Sequence, residues 1–182
     1  MNRHARLLSA FLALLAFMVL VAPSPALAAT ANGKPRVVLT HDPELDDVNT
    51  LIRAVLYATD FRLEGIVYTS SSIHFRGDGK GTTQFIAGRE YDRLGRGPVT
   101  RWRWPDREAF IDEIVDAYGQ VYANLRVHDA SYPSPQALKS KVKWGNVDFE
   151  GDYSRDTDGS NLIKRLLLDD VPGPLFVTAG GG

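Results

Sequence analysis

An α/β fold built on a mostly parallel sheet is predicted by three features of the chain. Apolar runs of strand length, Val37-Val38-Leu39, Phe61 to Tyr68 and Leu175 to Thr178, alternate with amphipathic stretches such as 51–57 and 106–122. The first strand, helix and second strand follow one another with a short return, the pattern of a right-handed βαβ unit. An acidic stretch, Thr40-His41-Asp42-Pro43-Glu44-Leu45-Asp46-Asp47, follows the first strand, at the edge where open α/β sheets bind ligands.

Residues 1–28 read as a cleaved secretory leader. Arg3 and Arg6 make a basic start, 7–21 is an apolar core, and Ala26-Leu27-Ala28 is an A-x-A cleavage site. The apolar run is short for a membrane span, and Pro23 and Pro25 break it. A secreted or periplasmic bacterial protein with no stable membrane anchor is expected. The remainder, 29–182, has the length of one domain or part of one, with 29–34 as a flexible lead-in.

The helix after the acidic stretch carries Leu51, Ile52, Val55 and Leu56 at near-3.6 spacing. The strand Phe61 to Tyr68 ends in Thr69-Ser70-Ser71-Ser72, on the same edge as Asp42. Phe110, Ile111, Ile114, Val115, Tyr118, Val121 and Tyr122 form one core stripe on a helix started by Pro105-Asp106. Tyr132-Pro133-Ser134-Pro135 is a turn into a short helix over 136–142. The acidic stretch Trp144 to Gly159 lacks the EF-hand order and is expected to be a solvated loop. Ser160 is the expected N-cap of a helix running to Leu168, and 169–174 turns into the last strand.

Two further segments invite functional readings. His74 to Thr82 is glycine-rich, but position 74 is His where a phosphate-binding G-x-x-x-x-G-K-[ST] loop needs Gly, and that reading fails. A surface loop is expected, with His74 solvated and a proton donor only if it reaches the strand edge. Arg101-Trp102-Arg103-Trp104 offers a stacking platform for a sugar or base. The competing expectation buries one Trp and lays the other on a helix flank, because aromatic residues dominate cores.

Three aspartates within six residues, Asp42, Asp46 and Asp47, repel one another unless a cation or hydrogen-bond donors compensate. Oxygen-rich sets of this kind suit Ca²⁺. The same residues also fit a helix start, with Asp42 as N-cap, Pro43 in the first turn, and Glu44, Asp46 and Asp47 facing the dipole. No Asp-x-Asp-x-[Thr/Val] order follows the strand, which ranks an aspartate-nucleophile phosphohydrolase last.

Asp42-Pro43-Glu44-Leu45-Asp46-Asp47 resembles the N-terminal signature of the inosine-uridine-preferring nucleoside hydrolases. The wider chain resembles a secreted bacterial branch with a nucleoside-hydrolase-like domain, described as cellulose-binding. That second likeness is carried by Gly77-Asp78-Gly79-Lys80-Gly81-Thr82, Gly88-Arg89-Glu90-Tyr91, Trp102-Arg103-Trp104, Tyr132-Pro133-Ser134-Pro135 and Pro172-Gly173-Pro174-Leu175. It implies a Rossmann-like, mostly parallel sheet of nucleoside hydrolase type. It also implies a Ca²⁺-dependent hydrolase of N-glycosidic bonds in ribonucleosides or related glycosides. Asp42 would be the catalytic base and a metal ligand, Asp47 a second ligand, and Thr178, Ala179 or Gly180 a carbonyl ligand, with Gly180 taken as the candidate. Asp46 would bind the sugar, and Ser71 or Ser72 would stand in for an Asn-containing loop that touches the ribose in that family; a serine turn that only satisfies its own backbone is the competing expectation. The alternative is a secreted carbohydrate-binding protein of the same fold with little or no turnover. Thr40 and Glu44 support that alternative, because most nucleoside hydrolases carry Asp and Gly at these positions. The usual final Asp ligand and His acid lie further along in that family, so the chain reads as the N-terminal part of a larger domain.

The absence of cysteine excludes disulfides, thiolate chemistry and Cys-type zinc sites. With 21 basic and 22 acidic residues the formal net charge is −1, and no electrostatic footprint for nucleic acid is present. The expected partner is a small nucleoside or sugar, with polysaccharide as a second class and an oligomer left open.

Overall fold

Val38 and Leu39 point to opposite faces of a strand, as do Val67 and its neighbours Ile66 and Tyr68, and this alternation organises the fold. The computed structural model of the chain describes residues 33–181, so the leader expected at 1–28 lies outside the described residues. Strands β1 (Arg36–His41), β2 (Arg62–Tyr68), β3 (Val142–Trp144) and β4 (Leu175–Val177) form one sheet in the order β3-β2-β1-β4. Every pairing is parallel, with a register shift between Val37 and Val38.

Helix α1 (Leu45–Leu56) carries Asp46 and Asp47 in its first turn and Arg53 in its last, both favourable to the dipole. It buries Leu51 and Val55, one turn apart. After the single-turn α2 (Glu90–Arg93) comes the long α3 (Phe110–His128), which buries Phe110, Ile111, Val115 and Tyr118. These residues meet Leu39, Ile66, Tyr68 and Leu138 of the short α4 (Pro135–Lys139) in the main core. The opposite face of the sheet packs Val38 and Val67 against Leu162 of α5 (Asp158–Leu167). The central strands are covered on both faces, as parallel sheets require, while Phe176 and Val177 of the edge strand β4 stay exposed.

Several boundaries differ from the sequence expectation. Helix α1 begins at Leu45 rather than near Leu51, and its N-cap is Glu44, not Asp42. Helix α3 starts at Phe110 instead of Asp106. The helix expected over 136–142 stops at Lys139, and Val142–Trp144 is a strand. Three residues are too few to show alternation, so pairing with β2 alone decides that strand. The N-cap of α5 is Thr157; Ser160 is its reciprocal partner in a capping box. Among the described residues no helix is long and apolar enough to cross a membrane.

Candidate functional site

Strand order reverses at β1, which has β2 on one side and β4 on the other. Crevices at such switch points, beyond the carboxyl ends of the strands, are where open α/β sheets bind ligands. Here the chain leaves β1 into His41 and Asp42 and leaves β4 into Thr178 to Gly181. Thr40 joins the two exits. Its N–H donates to Thr178 Oγ1 (3.1 Å), its hydroxyl donates to the Thr178 carbonyl (2.6 Å), and it accepts from the Gly180 N–H (3.2 Å). The Gly180 carbonyl accepts from Thr69 Oγ1 at 2.8 Å and has the Thr40 hydroxyl 3.2 Å away.

Gly180 and Gly181 are glycines for steric reasons. A Cβ on Gly180 would stand 2.0 Å from Asp47 Oδ1 and 2.4 Å from the Thr40 carbonyl. Gly181 has φ +67°, and a Cβ there would meet Asp42 Cβ and Thr69 Oγ1, each at 2.8 Å. The β4 exit thus presses directly on both aspartates, so the structure brings Asp42, Asp47 and Gly180 together. Asp46 is exposed at the start of α1.

Asp42 is 1% exposed. Its Oδ1 accepts from the Glu44 N–H at 2.8 Å, while its buried Oδ2 has no hydrogen-bond partner. His74 Nδ1 lies 3.4 Å from that Oδ2 and is also buried without a partner. Asp42, Glu44 and His74 each place one donor atom within 4.8 Å of the others, a spacing able to hold a metal ion. His74 is therefore not the solvated loop residue expected from its glycine-rich surroundings. A turn built on Ser71 carries it inward: the Ser71 hydroxyl accepts from the N–H groups of Ile73 and His74, both at 3.1 Å. Ser71 thus satisfies its own turn and keeps one O–H to donate, and Ser72 beside it is half-buried.

Charge at the site follows burial. Desolvation pushes the Asp47 carboxyl up to about 7, and the charges of Asp42, Asp46 and Glu44 add to that rise. His41, buried behind Asp47 with Nδ1 3.1 Å from Asp47 Oδ1, is pushed down to about 4 by desolvation, against the pull of Asp42. For Asp42, burial works against the charge, but His74, Ser71 and the Glu44 N–H outweigh it and hold the carboxyl below its usual range. His41 was not singled out in the sequence, since nothing local marks one buried histidine at a strand end.

The other acidic and aromatic features separate. Trp104 is buried edge-on to Phe110, whereas Trp102 donates from Nε1 to Glu90 of α2 and lies edge-on to Tyr91. One Trp is core and the other flanks a helix. Within 144–159, Asp148 is buried between Arg76 (2.9 Å) and Arg155 (2.5 Å), so that stretch is anchored rather than solvated throughout. Two polar cavities, of about 400 Å³ and about 340 Å³, share Arg76 as a wall. The first is lined by Gly77, Asp78, Gly79, Gly81 and Arg101, and the second by Trp144 and Thr157.

Residues 36–182 match the family described as "Cellulose-binding Sde182, nucleoside hydrolase-like domain". The chain belongs to that family. Among solved structures, the chain is similar to a nucleoside hydrolase-related hypothetical protein from Saccharophagus degradans described as associated with carbohydrate metabolism. It is 27% identical with a TM-score of 0.58, and the match covers 82% of this chain and 31% of the other. The chain therefore spans about a third of that protein's length. No curated protein matches it. The family and the parallel sheet agree with the α/β, nucleoside-hydrolase-type fold expected from the sequence.

Proposed function

We propose that this domain, exported by way of the leader at 1–28, hydrolyses N-glycosidic bonds in ribonucleosides or related glycosides in a Ca²⁺-dependent reaction. The observation that carries this reading is Asp42: a carboxylate 1% exposed, at the switch point of the sheet, with one oxygen that makes no hydrogen bond and has only the His74 ring 3.4 Å away. A buried anion left in that state is costly unless a cation or a proton compensates. Asp47 shows the same need, because burial, with the neighbouring carboxylates adding to it, pushes its carboxyl up to about 7. These donors fit a hard cation, with Asp42, Asp47 and the Gly180 carbonyl as its ligands. When bound, Ca²⁺ supplies polarisation of a water and a template for sugar hydroxyls. Asp42, held ionised below its usual range, accepts the proton of the attacking water as general base. Asp46, Ser71 and Ser72 are the groups available to bind sugar hydroxyls.

A second reading, a carbohydrate-binding domain with little turnover, is favoured by the two polar cavities that meet at Arg76. The second opens at the carboxyl end of β3, and Arg76 with Arg101, Glu108 and Asp158 offers the planar polar groups that bind sugars.

Release of free ribose from inosine and uridine, with Ca²⁺ and then with a chelator, separates the readings. Hydrolysis predicts chelator-sensitive turnover that falls by about 10²-fold or more in Asp42→Ala, the lower end of general-base contributions. Absence of turnover in the wild type, together with cello-oligosaccharide binding that Arg76→Ala weakens, establishes the second reading instead.

A further inference from the structure

We propose that Asp42, Glu44 and His74 form a second divalent-cation position, sharing Asp42 with the Ca²⁺ ligands and taking a borderline transition ion such as Zn²⁺. This goes beyond the hydrolase reading and does not depend on it. Two buried and unpartnered atoms point into the same space, Asp42 Oδ2 on a residue 1% exposed and His74 Nδ1 on a residue 8% exposed. They stand 3.4 Å apart. That is beyond a good N–H···O hydrogen bond. It is the separation of two adjacent ligands on a tetrahedral ion, since donors about 2.1 Å from zinc lie about 3.4 Å from each other.

The third ligand, Glu44, is half-buried at the N-cap of α1, and its donor lies within 4.8 Å of the other two. A modest swing of this side chain closes the set. Three protein ligands then leave a fourth position for water, as in catalytic zinc sites. The chemistry of the donors sets the class of ion: an imidazole nitrogen suits zinc and its neighbours, whereas Ca²⁺ and Mg²⁺ take oxygen. Asp47 is not part of this set; it faces His41 and the Gly180 backbone.

The test is calorimetric titration of the full chain, made without a polyhistidine tag and stripped of metal, with Zn²⁺ and Ca²⁺ in separate runs. Wild type is compared with His74→Gln, Glu44→Gln and Asp47→Asn, and each variant is checked for a native melt. Zn²⁺ affinity is expected to fall by roughly 100-fold in His74→Gln and Glu44→Gln, at least the loss seen when an outer-shell partner is removed. It should be unchanged in Asp47→Asn, whereas Ca²⁺ affinity should respond to Asp47→Asn and not to His74→Gln. Zn²⁺ affinity unchanged by both His74→Gln and Glu44→Gln overturns the proposal. If His74→Gln fails to fold, the half-buried Glu44→Gln decides alone. Zn²⁺ binding with the expected pattern and no Ca²⁺ binding would uphold this site while removing the Ca²⁺ reading above.

Discussion

Asp47 and His41 hold opposite anomalies a hydrogen bond apart, and their effects on stability oppose one another. Asp47 keeps its proton up to about 7 when folded, against an ordinary 3.8. Between those values the folded state binds the extra proton, so this residue lowers stability as pH rises. His41 titrates near 4 when folded instead of 6.5, so between about 4 and 6.5 the unfolded state binds the extra proton and stability rises with pH. The two slopes cancel over that window, and the Asp47 penalty emerges as pH approaches 7. Melts of the metal-free chain should show a fall near pH 7 that Asp47→Asn abolishes. Added Ca²⁺ should restore the loss, because a cation takes the place of the proton. A wild-type profile that matches Asp47→Asn at every pH would show that the carboxyl is not perturbed.

At the scale of elements, glycines set how closely α5 approaches the sheet. A Cβ on Gly159 in α5 would stand 2.5 Å from Val67 Cγ1 and 3.1 Å from the Gly145 backbone, while a Cβ on Gly65 in β2 would strike Leu162 Cδ2 at 2.4 Å. The β2–α5 contact is glycine on both sides. Gly159→Ala must therefore push the first turn of α5 away from β2 and β3, disturbing the capping box at Thr157. A loss of about 1–3 kcal/mol is expected from overpacking, despite the better helix propensity of alanine. Urea unfolding reads it as a lower midpoint at constant slope; a midpoint at or above wild type would mean that α5 moves freely.

One buried cation ties the whole molecule together. Arg36 at the start of β1 is 1% exposed, donates to Glu64 of β2 at 3.1 Å, and forms a forked pair with Asp169 beyond α5. Its guanidinium holds the Asp169 carboxyl below the usual range, so this contribution is full at neutral pH and is lost only as strong acid protonates Asp169. Such a cluster is weak evidence for net stability, but removing the arginine strips Asp169 of its fork and leaves Glu64 with Arg62 alone, at 2.7 Å. Arg36→Met is expected to cost about 3–5 kcal/mol. At this chain length, that lowers the melting temperature by roughly 6–20 °C. A shift of only a degree or two would show that solvent reaches Glu64 and Asp169 once the arginine is gone.

The fold class and the crowding of carboxylates around Asp42 were legible in the residue pattern, because the apolar runs of β1 and β2 and the acidic stretch after β1 are local and survive without tertiary contacts. Strand β3, the inward turn of His74, the burial of His41 and the clash that makes Gly180 obligatory were not. Each depends on a partner far along the chain: β2 for β3, Asp42 for His74, and Thr40 with Asp47 for Gly180. Periodicity reports which face of an element is buried, but not which distant residue arrives to cover it. Which carboxylate stands at the helix start was likewise decided in three dimensions, where Glu44 occupies the N-cap position of α1 and its N–H donates to Asp42 Oδ1.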